Sequence, residues 1–222
     1  MIEQLYIIPI LLFSVIIHEI AHGLMALRLG DPTARDMGRL TLNPIPHIDL
    51  FGSILIPLFS LMAAGSVFIA WAKPVPVNPA NFSNYKRDDV LVSAVGPFSN
   101  ILLAFVCSVA VIGLGVGGNA LAGDGLPILA EGIEFLMKMF YGGIYLNIVL
   151  AVFNMIPVPP LDGSHILATL LPDEAARRYR SVGFLGIFII IFMMRVPIVS
   201  TAFTSIIHGI FAPFHSMISF FI

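Results

Sequence analysis

Residues 14–30, SVIIHEIAHGLMALRLG, place three ionisable side chains in the middle of an apolar run. Residues four apart lie on the same face of a helix, so His18 and His22 point the same way and Glu19 stands beside that face. Burying three such groups in an apolar segment costs several kcal/mol unless other groups compensate them. We therefore expect these side chains either to pair with polar partners or to bind an ion.

The composition of the whole chain is that of an integral membrane protein. Of its 222 residues, 58% are hydrophobic and only 11% are charged, whereas soluble domains carry about 25% charged residues. The formal net charge is −2 and no basic block is present, so nucleic acid is excluded as an expected partner. The single cysteine, Cys107, excludes an intramolecular disulfide.

The apolar runs predict an all-α polytopic membrane protein with about five to six membrane segments, since a spanning helix needs about 20 apolar residues. The runs cover residues 5–27, 49–72, 90–117, 139–171 and a last stretch from 182, which holds one or two helices. The proline-rich loop KPVPVNPANFSNYKRDD excludes a helix, so a short extended or β element is expected at residues 73–80. No repeat or second domain is visible, and residues 1–222 are interpreted as one membrane domain.

The distribution of basic residues distinguishes two topologies for segment 49–72, which glycines and a proline interrupt. If this segment crosses the membrane, the basic loops lie on opposite sides. If it enters and returns on one side, nine cations lie together, and the loop 117–135 opposite them has none: Arg28, Arg35, Arg39, Lys73, Lys86, Arg87, Arg177, Arg178 and Arg180. Because cytoplasmic loops carry an excess of Lys and Arg, we expect the returning arrangement in the plasma membrane, with the basic loops cytoplasmic.

His-Glu-x-x-His on a helix supplies two imidazoles to zinc and a glutamate as general base, and catalytic zinc usually has a third protein ligand. Asp162 is the favoured candidate, because it follows a proline-broken helix in FNMIPVPPLDG, where backbone can surround an ion. Asp49 is the alternative acid, although it could instead cap the run that it opens. The histidines and Asp162 both lie in the C-terminal halves of their segments, so they reach the same depth in the membrane only if the two segments run in the same direction. That requires segment 49–72 to make no net crossing, which agrees with the charge distribution.

Two motifs together make the resemblance to a known family specific. The helical His-Glu-x-x-His and the distant Asn-x-x-Pro-x-x-x-Leu-Asp-Gly resemble the site-2 protease family of intramembrane zinc metalloproteases. The second motif is carried here by Asn154, Pro157, Leu161, Asp162 and Gly163. SAVGPFSNILLA is also similar to the family's Gly-Pro-x-x-Asn segment, through Gly96, Pro97 and Asn100. The resemblance covers about residues 12–170, without an appended PDZ or CBS domain.

The resemblance implies an enzyme that hydrolyses peptide bonds in or near transmembrane helices of membrane-protein substrates. One zinc ion per chain would be held by His18, His22 and Asp162, with Glu19 as general base and acid. The lipid bilayer and a transmembrane substrate are the partners that this function implies. Further candidates for contact with substrate or for support of the site are Asn154, Gly96, Pro97, Asn100 and His165.

Two other classes of function stay open on the sequence. A metal or proton transporter could use the same buried ligands, although it has no need of Glu19 and no inverted second half is visible. A non-proteolytic relative could keep the zinc and bind other membrane proteins. The substitution Glu19→Gln separates these classes from a protease, because it removes the base and leaves the ligands.

Overall fold

The computed structural model describes residues 6–55, 72–121 and 127–222, and the regular structure in these residues is helical. The helices are α1 (Ile7–Arg28), α2 (Thr33–Asp36), α3 (Tyr85–Leu121), α4 (Pro127–Asn154), α5 (Asp162–Leu170), α6 (Asp173–Arg180), α7 (Gly186–Met194) and α8 (Pro197–Phe221). Single 3-10 turns lie at Ile45–His47, Pro79–Asn81 and Gly183–Leu185, and Leu50–Leu55 is π-helical.

Four of these helices, α1, α3, α4 and α8, are long and apolar enough to cross a membrane. This confirms the prediction of an all-α polytopic membrane protein. The last apolar run forms two helices, α7 of 9 residues and α8 of 25 residues. The remaining predicted segment, 49–72, lies largely outside the described residues.

Helices α1 and α3 run in opposite directions. His18 in α1 bonds to Asn100 in α3, whereas Ile10, two turns earlier in α1, lies with Cys107 beside Gly143. As residue numbers rise along α1 they fall along α3, so the end of α1 and the start of α3 lie on the same side of the bundle. We call this side the basic end, because the nine clustered cations lie in the segments there.

The two ends of segment 49–72 meet at the basic end. The backbone N–H of Lys73 donates a hydrogen bond to the carbonyl of His47 at 2.9 Å. A single bilayer crossing would separate the two ends of a segment by about 30 Å. The two ends therefore lie on the same side of the bundle, as the returning arrangement requires.

The β element predicted at residues 73–80 is not found. Residues 72–78, the proline segment, have no regular secondary structure, and the described residues contain no strand that could pair with them. Pro74 and Pro76 cannot donate to a ladder. The segment is held by side chains instead, since the Nη2 group of Arg39 donates to the carbonyls of Lys73 and Pro74 at 2.8 and 3.2 Å.

Asp31 ties the end of the proline segment to α1. Its fully buried carboxylate accepts from the backbone N–H of Asn78 at 2.7 Å, the Asn81 amide at 2.7 Å and the Thr33 hydroxyl at 2.5 Å. Burial raises the pKa of Asp31, but the hydrogen bonds from Thr33, Asn78 and Asn81 outweigh it and hold the pKa below its usual value. The ionised carboxylate therefore fixes the segment in place.

Helices α1, α3, α4 and α8 meet in an apolar core, which lies away from the basic end. Its buried members are Ile10, Ala104, Cys107, Val111, Ile144, Ile148, Ile207 and Ile218. Because lipid is as apolar as these side chains, close packing stabilises such a core more than exclusion of water does. The polar residues of α1 lie between this core and the basic end.

Candidate metal centre

Three side chains converge at the junction of α1 and α5. The Nε2 atoms of His18 and His22 are 3.0 Å apart. Nε2 of His18 lies 3.2 Å from Oδ2 of Asp162, and Nε2 of His22 lies 3.4 Å from Oδ1. Ligand atoms about 2.0 Å from a tetrahedral zinc ion stand about 3.3 Å from one another. The three residues thus have the mutual spacing of zinc ligands.

Hydrogen bonds at Nδ1 leave both Nε2 atoms unprotonated in the neutral imidazoles. Nδ1–H of His18 donates to Oδ1 of Asn100, and Nδ1–H of His22 donates to the carbonyl of Val92, each at 2.6 Å. A neutral imidazole carries one N–H only. Oδ2 of Asp162 is buried and has no hydrogen-bond donor among the described residues. With both imidazoles neutral, three hydrogen-bond acceptors thus face one another without a donor between them. A cation bound between them would satisfy all three, and this set of two imidazoles and one carboxylate fits zinc.

Asp49, the alternative third ligand, lies elsewhere. Its Oδ1 accepts from the backbone N–H groups of Phe51 and Gly52 at 3.0 and 2.7 Å. This is the helix-capping role that its position at the start of the run allowed.

Two glycines determine how closely backbone approaches the converged ligands. A Cβ added at Gly96 would lie 2.4 Å from Nε2 of His22 and 2.7 Å from Cε1 of His18. A Cβ added at Gly163 would lie 2.2 Å from the carbonyl oxygen of Met155. A side chain at Gly96 would displace the imidazoles, and one at Gly163 would displace the backbone of Met155, so both glycines are required by packing. Pro97, next to Gly96, is buried inside α3 and has no N–H to donate to the preceding turn.

The side chain of Glu19 extends from α1 to the proline segment. Its Oε2 accepts a hydrogen bond from the backbone N–H of Val75 at 2.7 Å. Val75 is 7% exposed, and its side chain packs against Gly23 of α1. The carboxylate therefore has a fixed partner beside the imidazoles and is not one of the three converged ligands.

Asn100 is fully buried, and both atoms of its amide are engaged. Its Oδ1 accepts from His18, and its Nδ2 donates to Oδ1 of Asn147 at 2.9 Å. Neither Asn147 nor the carbonyl of Val92 is among the site residues predicted from the sequence. A signal for Asn147 existed, because it is an amide inside the apolar run 139–171, whereas a backbone carbonyl leaves no trace in the sequence.

Asn154 and His165 flank the site without bonding to its three ligands. Asn154 is the last residue of α4, and its Nδ2 donates to the carbonyl of Leu150 at 3.0 Å. The His165 side chain is 47% exposed, and its Nδ1 lies 3.3 Å from Oδ1 of Asp89. Contact with substrate stays a prediction for five residues: Asn154, His165, Gly96, Pro97 and Asn100.

Known proteins similar to this chain carry names of metalloproteases. The profile of Peptidase family M50 matches residues 127–194. "Putative zinc metalloprotease YwhC" of Bacillus subtilis is 38% identical over 191 residues, 85% of this chain and 80% of the relative. "Putative zinc metalloprotease Rip2" of Mycolicibacterium smegmatis is 26% identical over 200 residues, 90% of this chain and 70% of the relative. No solved structure is significantly similar. The chain therefore belongs to Peptidase family M50, the site-2 protease family that its two motifs predicted.

Proposed function

We propose that this zinc metalloprotease hydrolyses peptide bonds in or near the transmembrane helices of membrane-protein substrates. His18, His22 and Asp162 hold its one zinc ion, and Glu19 is its general base. The observation that carries the proposal is the convergence of Nε2 of His18, Nε2 of His22 and the Asp162 carboxylate beside Glu19, which lies with both histidines in a helix long and apolar enough to span a membrane. Ionisable groups within a membrane segment are costly, so their presence there indicates a function.

The chain's own residues supply the proton transfer. A zinc ion held by His18, His22 and Asp162 would act as a Lewis acid, which would polarise a carbonyl and lower the pKa of water toward about 7. Glu19 takes a proton from the attacking water and returns it to the leaving amine. The N–H of Val75 holds one carboxylate oxygen of Glu19 at 2.7 Å, so the base is oriented before substrate arrives.

The proline segment offers an edge to an unwound substrate. A helical substrate has its amides bonded internally, so it must open before a peptide bond is accessible. Val75 precedes a proline and is thereby restricted to extended backbone. In extended backbone, N–H groups two residues apart point to the same edge. The N–H of Val75 faces Glu19, so an extended Val77 would turn its N–H to the same edge, where an unwound substrate strand could pair with it.

The proposed orientation places the catalytic site toward the cytoplasmic side of the plasma membrane. The support is the basic end, where the clustered Lys and Arg residues lie. His22 is six residues before the end of α1 at Arg28, which is about 9 Å along the helix axis. The site therefore lies within the membrane and nearer to the basic end.

The test compares wild-type protein with Glu19→Gln and His22→Ala after reconstitution with membrane proteins of the native cell. Zinc per chain and new N-termini within transmembrane segments are measured together. We expect Glu19→Gln to keep its zinc and produce no new termini, and His22→Ala to lose both. New termini that persist in Glu19→Gln would contradict the role of the base.

The alternative classes give different results in the same reconstitution. A transporter would carry zinc or protons into the vesicles, and Glu19→Gln would leave that flux intact. A zinc-dependent binding protein would retain membrane partners equally in wild type and Glu19→Gln, with no new termini in either.

A further inference from the structure

A buried polar network joins His18 to the backbone of α4 through two amide side chains. Oδ1 of Asn100 accepts from Nδ1–H of His18 at 2.6 Å, and Nδ2 of Asn100 donates to Oδ1 of Asn147 at 2.9 Å. Nδ2 of Asn147 donates to the Gly143 carbonyl and to the Ser14 hydroxyl, each at 2.9 Å. Asn100, Asn147 and Ser14 are all fully buried. We call Asn100 and Asn147 the amide relay.

The direction of the relay is determined at Gly143, because a backbone carbonyl can only accept hydrogen bonds. Asn147 must turn its NH2 group toward Gly143, and its oxygen therefore faces Asn100. Asn100 must then donate to Asn147 and present its own oxygen to His18. An oxygen accepts only from a protonated Nδ1, so Nε2 of a neutral His18 is left without a proton.

His18 depends on this relay in a way that His22 does not. His22 reaches the same tautomer through the carbonyl of Val92, which cannot change from acceptor to donor. An amide side chain can rotate by about 180° and offer NH2 in place of oxygen. A rotated Asn100 would favour the tautomer of His18 with its proton on Nε2, the atom that faces Asp162.

We propose that Asn147 is a positioning residue that holds Asn100 in its accepting orientation and so keeps Nε2 of His18 available to the metal ion. Asn147 acts through Asn100, with which it shares a 2.9 Å hydrogen bond. The inference rests on the proposed function, because it requires His18 to bind zinc through Nε2. Mutation of the hydrogen-bond partners of metal-binding histidines commonly lowers metal affinity by about 10–100-fold.

The test measures zinc affinity of the purified full chain in detergent, by competition with a chromophoric chelator. We expect Asn147→Leu to weaken zinc binding by about 10–100-fold. The double variant Asn147→Leu/Asn100→Asp should recover to within about 3-fold of wild type, because an ionised carboxylate beside the zinc-bound His18 only accepts hydrogen bonds and needs no neighbour to orient it. Ser108→Ala is the matched control, since Ser108 is a fully buried hydroxyl of α3 that donates to the carbonyl of Phe105.

Two results would overturn the relay. Unchanged zinc affinity in Asn147→Leu would show that Asn100 keeps its orientation unaided. A double variant no better than Asn147→Leu would show that Asn147 acts by packing alone. His18→Ala separates these failures from failure of the ligand assignment, because that variant loses zinc if His18 is a ligand, whatever the relay does.

A second measurement needs no variant at positions 100 or 147. Nitrogen-15 NMR of zinc-free wild type, with His18→Ala to identify the signal, reports which ring nitrogen of His18 carries the proton in the neutral imidazole. We expect the proton on Nδ1. A proton on Nε2 would contradict the relay.

Discussion

The backbone N–H of Val75 donates a 2.7 Å hydrogen bond to the carboxylate of Glu19, across 56 residues of sequence. Val75→Pro removes that donor and leaves the three metal ligands untouched. We expect turnover in a reconstituted cleavage assay to fall at least about 10-fold, since a misplaced general base loses part of a 100- to 10,000-fold contribution, while zinc per chain is unchanged. Val75→Ala keeps the N–H and is the control; equal activity in both variants would leave the hydrogen bond without a catalytic role.

A change at Val77 tests whether the proline segment pairs with substrate. Val77→Pro removes an N–H on the edge that faces Glu19 but leaves the bond from Val75 intact. We expect a higher KM for a transmembrane substrate with little change in kcat, because an edge hydrogen bond contributes to binding. Val77→Ala keeps the N–H and should behave as wild type. If Val77→Pro also cleaves as wild type, substrate does not pair with this edge.

Removing Asp162 tests the third ligand. We expect Asp162→Ala to weaken zinc binding by more than about 100-fold, because loss of an outer hydrogen-bond partner alone costs about 10–100-fold. Metal analysis of purified protein should show zinc falling from near one per chain to near zero. Asp49→Ala is the matched control, since Asp49 caps Phe51 and Gly52. Zinc loss in Asp49→Ala with retention in Asp162→Ala would reverse the assignment.

The close contact at Gly96 predicts a steric effect on the metal site. Gly96→Ala places a Cβ 2.4 Å from Nε2 of His22, so one or both imidazoles must move. We expect zinc affinity to fall, measured by chelator competition, even though no ligand is replaced. Gly113→Ala is the control within the same helix, because a Cβ there meets nothing within 4 Å and alanine favours helix by about 1 kcal/mol. Full zinc affinity in Gly96→Ala would show that α3 can shift without cost.

The carboxylate of Asp31 predicts a pH dependence of stability. Hydrogen bonds from Thr33, Asn78 and Asn81 hold its pKa below the usual value despite burial, so its contribution is complete above the unfolded pKa of about 3.9 and is lost as pH falls through the folded pKa. Asp31→Asn should lose about 2 kcal/mol at pH 7.

Thermal unfolding in detergent at pH 7 and at acid pH measures this contribution. The gap between wild type and Asp31→Asn should narrow as pH falls below about 4. The control is Asp36→Asn, since the Asp36 side chain is 57% exposed. A gap independent of pH would show that Asp31 acts through packing and not through its charge.

The cluster of His18, His22 and Asp162 could be predicted from the sequence because its signals are local or belong to a motif. The four-residue spacing of His18 and His22 fixes a shared helix face, and Asp162 stands out as an acid inside an apolar stretch. The amide relay could not be predicted in this way. To predict that Asn100 pairs with Asn147, one must know how far α3 and α4 are shifted along each other. Packing between the helices determines that shift, and the sequence of neither helix alone shows it.

The proline segment shows where a local pattern misleads. Alternating prolines and valines indicate extended backbone, but a β element needs a second strand with its own donors and acceptors. The described chain provides side chains in that place, Arg39 at one end and Asp31 at the other. Arg39 is 34 residues from Lys73 in the sequence, and Asp31 is 47 residues from Asn78. A local sequence pattern cannot predict contacts over such separations.

The hydrogen bond between Lys73 and His47 brings the two ends of segment 49–72 to one point at the basic end. A stretch of chain whose two ends lie at one point does not determine the direction of the helices that follow it. Lengthening, shortening or exchanging this stretch leaves α3, α4 and α8 pointing as before, and His18, His22 and Asp162 at the same depth. The directions of these helices are therefore set by their own packing and not by the length of the chain between His47 and Lys73.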